Sequence, residues 1–336
     1  IDMMVKQTTQ RELFSYKIFP EPNETSTQIF NEFKREYNIA FTGYVNSLNA
    51  LDAPTDNEIR KLAGAVTIST GNDGMSSGAK GDEKIVELIC KSRSKEIPVY
   101  ANPWVFSGYS FWDNWEYKGT ANSVRDCWYC QLACWIHQDV IDSINAINAG
   151  SSSVDTSAVK RLLSVRFGAE TRETGLDLPV YVTETRGGLC LPWTGRKCNE
   201  KIDVVHFSVS AVVRANDVLK FMSALSSEKE HVFAGYKGEL APVKYKHNQI
   251  TVLESSIAPV DRNSAENKRY YYGPDAIVQI DLICEYVFNR QGYDPIKPQS
   301  VANDIAGTST DGSSPSYDMG GPGGGFGMPG MPGGMQ

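Results

Sequence analysis

Two groups of residues in this chain have types and spacings that could do chemistry. Gly74-Met75-Ser76-Ser77-Gly78 has the Gly-x-Ser-x-Gly spacing. At a tight strand-to-helix turn, that spacing lifts a serine oxygen toward a histidine base. Residues 65–70 read as a preceding strand, but the glycines from Gly71 to Gly81 make the surroundings a loop rather than a strained turn. His206, His231 and His247 follow without an acid placed to orient them, and the loop lacks the Gly-Lys-Ser/Thr ending of a phosphate cradle. The second group is Cys127-Trp128-Tyr129-Cys130, continued by Cys134 and His137. At ~1.5 Å rise per residue, Cys127 and His137 lie about 15 Å apart along a helix. One straight helix therefore cannot bring four ligands to ~2.0–2.3 Å from a zinc ion. A redox pair at a helix N-terminus would need a preceding strand of the thioredoxin type, which is not apparent, so these read as small core thiols.

Cys190 and Cys198 bracket the short segment Leu-Pro-Trp-Thr-Gly-Arg-Lys. In an oxidising compartment they could close a ring contributing ~2–3 kcal/mol in the chain-entropy model; in a reducing one they are two thiols of a hairpin. Both readings stand. Residues 97–117 carry Tyr100, Trp104, Phe106, Tyr109, Phe111, Trp112, Trp115 and Tyr117 with no period of 3.6 or 2. Such a segment either caps a core or forms a recognition surface. In the second case Trp104, Trp112 and Trp115 would stack on a carbohydrate or peptide. Carboxylate pairs, metal-ligand spacings and dinucleotide glycine patterns are not visible, so no catalytic residue, metal or cofactor is assigned.

The elements that must position these residues follow from periodicity. Apolar residues from Ile29 to Leu48 recur at three and four, giving a helix over 24–51 that Pro54 ends. Further helices are expected over 56–68 and 82–91. Residues 122–149 give the clearest one, with Val124, Trp128, Leu132, Trp135, Ile136, Val140, Ile144 and Ile147 on a single stripe of a half-buried helix. Strands are then expected over 159–167, 179–183, 204–213, 232–236, 243–255 and 276–288, with a helix over 216–228 between them. Val205, Phe207, Val209, Ala211 and Val213 alternate with His206, Ser208 and Ser210, the pattern of a one-sided antiparallel sheet with His206 solvated.

The fold class is thus α+β: a mostly helical region with an aromatic loop over 1–119, an antiparallel sheet domain over 120–291, and a tail over 292–336. From Asp311 the chain is Gly, Ser, Pro and Met with little to bury, the composition of a disordered tail. With 336 residues, 41% hydrophobic and 22% charged, the chain can bury a substantial core. A net charge of −7 offers no footprint for a phosphate backbone, so nucleic acid is not an expected partner. No run of ~18 apolar residues occurs. Because the sequence starts at Ile1, a preceding signal peptide or membrane anchor is one expectation and a soluble fragment the other.

The order helix, two strands, helix, two strands over 122–288 is the αββαββ arrangement of a ferredoxin-like fold. The strand at 204–213, the helix at 216–228 and the closing strand at 276–288 resemble the periplasmic module of PilO-type type IV pilus alignment proteins and their type II secretion relatives. Residues 131–140 and 159–163, with the Gly/Pro/Met tail, also resemble uncharacterised planctomycete envelope proteins. The resemblance implies a non-catalytic assembly protein of a bacterial cell envelope or periplasm, held to the inner membrane by a segment before residue 1. Its sheet would pair with itself as a homodimer or with homologous envelope-assembly proteins. The aromatic loop and residues 185–201 have no counterpart in that family.

Overall fold

A computed structural model describes residues 2–23, 26–69, 79–167, 177–183, 191–236 and 238–306. Five helices come first: α1 (Asp2–Thr9), α2 (Gln28–Ser47), α3 (Asp56–Ser69), α4 (Ala79–Glu96) and α5 (Thr120–Ile147). The spacing that predicts α2 is the spacing it buries, with Ile29, Phe30, Phe33, Tyr37, Phe41 and Tyr44 on its inner side. A capping box starts α3: the Thr55 N–H donates to Glu58 Oε2 (2.8 Å) and the Glu58 N–H to Thr55 Oγ1 (3.3 Å). Glu58 also accepts from Arg93 of α4 at 2.8 Å, which ties the two helices together. The strand expected over 65–70 is instead helical through Ser69, and α4 already begins at Ala79. Helical propagation from a well-capped start prevails over the β-branched residues Val66, Thr67 and Ile68. Ser76 lies outside the described residues.

The expected stripe on α5 is present, but the helix is buried nearly all round rather than on one side. Ser123, Cys127, Cys130, Ala133, Cys134, His137 and Ile141 are buried along with Trp128, Leu132, Trp135 and Val140. The small residues let α2 pack closely against it, so α5 is the central rod of the core.

The sheet has four antiparallel strands, β1 (Val159–Phe167), β2 (Ile202–Arg214), β5 (Ile250–Pro259) and β6 (Ile277–Asn289), in the order β1-β2-β6-β5. Between β2 and β5 run α6 (Val218–Leu225) and a separate hairpin, β3 (Lys229–Phe233) with β4 (Val243–His247). Apart from that hairpin, the order α5-β1-β2-α6-β5-β6 is the αββαββ arrangement, with both helices packed together on one face. The strand expected over 243–255 is thus two strands in two sheets. Asn248 and Gln249 break it, the first donating to Ser226 O (2.9 Å) and the second to Val287 O (3.1 Å). The strand expected over 179–183 reduces to one bridge between Tyr181 and Val205.

Val205, Phe207, Val209, Ala211 and Val213 face the helices as the alternation predicts. The opposite face is not solvated along β2. His206 is 1% exposed, and its Nε2 lies 3.7 Å from the buried Glu285 carboxylate. Segment 191–198 covers this pair: Arg196 and Thr194 donate to Glu285, and Trp193 lies edge-on to His206. An interior strand with a chain segment folded over its polar side loses the water that alternation alone implies.

The chain also stays in the core past residue 292. Helices α7 (Arg290–Tyr293) and α8 (Gln299–Ile305) bring Tyr293, Ile296 and Val301 into contact with α5 and β6. Lys297 is pinned by the buried Asp203 carboxylate of β2 and by Asp294 at 2.6 Å. Residues 292–306, expected to belong to the tail, are therefore part of the fold; residues 307–336 lie outside those described. One apolar cluster runs from Leu13 to Val301, so the helical region and the sheet region share a core rather than forming two domains. Among the described residues no helix is long and apolar enough to cross a membrane.

Candidate functional site

The aromatic segment closes one edge of the sheet. The Tyr100 N–H donates to Lys160 O (3.0 Å), the Leu162 N–H to Tyr100 O (3.0 Å) and the Ser107 N–H to Val165 O (2.9 Å). Residues 100–107 thereby satisfy outward groups of β1 that would otherwise face solvent. At Gly108 the chain turns with φ +87°, and a Cβ there would stand 2.6 Å from the Tyr37 hydroxyl. Only glycine allows the segment to lie so close to α2.

The three tryptophans expected to hold a ligand do not share a surface. Trp112 is 0% exposed, packed against Phe33, Tyr37 and Phe111. Trp115 is half-buried, with its indole N–H donating to Asp126 Oδ2 at 2.9 Å. Trp104 alone is open, at 62% exposure. Since Trp112 is core, a stacking platform made of all three is excluded.

The thiols are likewise interior. Cys127, Cys130 and Cys134 are buried, and burial pushes all three thiols up, the opposite of an activated thiolate. His137 lies among Phe41, Tyr44, Phe106 and Phe167, and burial lowers it to about 3. Cys198 is half-buried; the Val204 N–H donates to its Sγ at 3.2 Å, and burial pushes the thiol up to about 12. Its suggested partner Cys190 lies outside the described residues.

A cluster that the sequence reading missed lies where the N-terminal segment, α5 and the β3–β4 hairpin meet. The Arg11 guanidinium donates to Asp139 Oδ1 (2.8 Å) and to the Tyr286 hydroxyl (2.7 Å), and Tyr286 donates to Asp139 Oδ2 (2.7 Å). His247 Nε2 is 3.0 Å from the same carboxylate. Its Nδ1 is 3.0 Å from His231 Nδ1, and His231 Nε2 is 2.6 Å from the Gln10 carbonyl. Burial opposes charge on Asp139, but Arg11, His247 and Tyr286 more than offset it and hold the carboxyl well below its usual range. Clefts of about 620 and 970 Å³ open on the two sides, with His247 lining the first and His231 the second. A signal for this cluster was present in the sequence. Asp139 falls on the α5 stripe with Trp128, Leu132 and Trp135, where an acid must find a buried partner.

The other sheet edge is open. β5 pairs with β6 on one side, and among the described residues no backbone group outside the sheet pairs with its other side. Thr251, Glu254, Ser255, Ser256, Ile257 and Pro259 are exposed, Ile257 at 55%. A bulge between Val252 and Glu254 twists the start of the strand; from Glu254 onward the ladder is regular. Glu254 is the one charged residue in the strand, so the lysines that commonly guard such an edge are missing.

No protein-family model matches the chain, and no curated protein matches it. Among solved structures, one similar chain is a protein without its transmembrane region from Akkermansia muciniphila. It is 11% identical, with 76% of this chain and 98% of that chain covered and a TM-score of 0.27. A crystal structure from the same organism is 10% identical, covering 79% and 96%, with a TM-score of 0.28. Likeness at this level establishes neither a shared fold nor a shared role.

Proposed function

We propose that the chain is a non-catalytic assembly module of a bacterial cell envelope, acting through protein–protein contacts along the β5 edge. The observation that carries this reading is the asymmetry of the sheet: β1 is capped by the aromatic segment, whereas β5 presents a regular, nearly uncharged edge. A strand added there gains main-chain hydrogen bonds for affinity and alternate side chains for specificity. The envelope setting rests on the likeness of the αββαββ region to pilus and secretion alignment modules, a fold-level analogy.

A second copy is the occupant the edge fits. Antiparallel pairing centred on Ser256 stays within the regular part of β5. It sets Glu254 against Ala258 and Ser255 against Ile257 of the other copy, with no like charges opposed. Light scattering on the purified chain is expected to report a dimer. Ile257→Lys should weaken that association by roughly tenfold or more while leaving the fold intact, because its side chain is exposed and a lysine charge disfavours edge pairing. A wild-type chain that stays monomeric at high micromolar concentration contradicts self-pairing. If it also gains nothing from a homologous envelope partner, the assembly reading falls with it.

A further inference from the structure

The two histidines of the buried cluster make three hydrogen-bond-length contacts, and each needs a proton in a defined place. The Gln10 carbonyl can only accept, so His231 Nε2 carries a proton. The Asp139 carboxylate, kept ionised by Arg11, can only accept, so His247 Nε2 carries one too. Between the rings, Nδ1 and Nδ1 stand 3.0 Å apart, and two facing lone pairs at that distance repel. One further proton is required between them. Two neutral imidazoles supply two N–H groups; this geometry uses three.

We propose that the His231–His247 pair holds one extra proton and acts as a proton-held clamp that fastens the β3–β4 hairpin to α5 and to the N-terminal segment. Each contact crosses a different boundary: His231 to Gln10 joins β3 to the N-terminal segment, and His247 to Asp139 joins the end of β4 to α5. The groups facing the pair are of both signs: the ionised Asp139 favours the extra charge and Arg11 opposes it. From α5 come Asp139 and Asp142, from the N-terminal segment Arg11, from β6 Tyr286, from β3 Lys229, and from β4 the Tyr245 ring at 5.8 Å. Burial, Arg11 and His247 together lower His231 to about 4. The sign follows directly. The closed pair holds one proton, whereas the open histidines hold none well above their ordinary value of ~6.5 and two well below it, so the clamp is tightest near that value and raising the pH from there opens it.

A zinc ion between the rings is the competing electrophile, because each outer nitrogen already has the carbonyl or carboxylate partner that metal-bound histidines have. Distance decides against it. Two nitrogens at ~2.0–2.1 Å from a tetrahedral zinc stand about 3.3–3.4 Å apart, not 3.0 Å. Among the described residues, moreover, no third histidine, cysteine or carboxylate completes a set.

Nitrogen-detected NMR of the imidazoles in the full chain, paired with amide hydrogen exchange at about pH 6 and about pH 9, tests the clamp. The expected result is three imidazole N–H groups on the pair at the lower pH. After correction for intrinsic rates, the amides of 229–247 should then exchange roughly ten- to a hundredfold faster at the higher pH, the equivalent of one charge-assisted hydrogen bond. The four-stranded sheet should show no such change. His247→Gln can still donate to Asp139 but cannot titrate, so it should abolish the pH difference. Two N–H groups at the lower pH, or equal hairpin protection at both, would overturn the proposal. So would zinc added alone raising the thermal midpoint and removing the N–H signal between the rings, since the site would then be a metal site.

Discussion

Asp139→Ala should destabilise the fold by about 3–5 kcal/mol, the cost of leaving a buried charge without its partner. Arg11 is 4% exposed and, among the described residues, has no other carboxylate as hydrogen-bond partner; His247 loses its acceptor at the same time, while the Tyr286 hydroxyl keeps Gln249 Oε1 at 2.9 Å. Urea unfolding measures the loss. Replacing both members, Arg11→Met with Asp139→Leu, should cost much less than the single change, because no stranded guanidinium remains. The pH dependence has a defined sign. The native carboxyl is depressed, so its contribution is fully present above the unfolded value of ~3.9 and is lost progressively as pH falls toward the native one. A single Ala variant within 1 kcal/mol of wild type would mean that the charges are not buried together.

The second large effect belongs to the aromatic segment. Trp112→Ala should cost about 3–5 kcal/mol, as deletion of a fully buried tryptophan does when the surrounding rings cannot close the cavity. Those rings are Phe33 at 6.0 Å, Tyr37 at 6.3 Å, Phe111 at 5.2 Å and Trp115 at 4.8 Å. Trp104→Ala, a few residues away but 62% exposed, should stay within about 0.5 kcal/mol. Thermal melts of the two variants side by side separate a core cap from a recognition surface. Equal, small effects would favour the surface.

The parts of this fold that could be read from the sequence are those governed by local period. The α5 stripe and the alternation of β2 survive into the structure because 3.6 and 2.0 are properties of the backbone itself. What could not be read is set by contacts between residues far apart along the chain. Arg11 and Asp139 are 128 residues apart, and Asp139 and His247 are 108 apart. No window of sequence contains both partners. The same holds for Lys297 and Asp203, 94 residues apart, which draw α8 into the core where composition suggested that order had ended. His206 reads as solvated because alternation reports which side a residue takes, not whether another segment covers that side. The sequence likewise reads strands over 159–167 and 243–255, but which sheet edge stays open depends on where residues 100–107 fold back.

The open β5 edge is the claim on which the functional reading depends. Amide hydrogen exchange across residues 250–259, followed as protein concentration is raised, addresses it at the backbone groups concerned. If edges pair, the amides that point away from β6 become protected in step with assembly, while those already bonded to β6 do not change. If assembly proceeds and those outward amides still exchange as freely as in the dilute chain, the contact lies elsewhere and the β5 account is wrong.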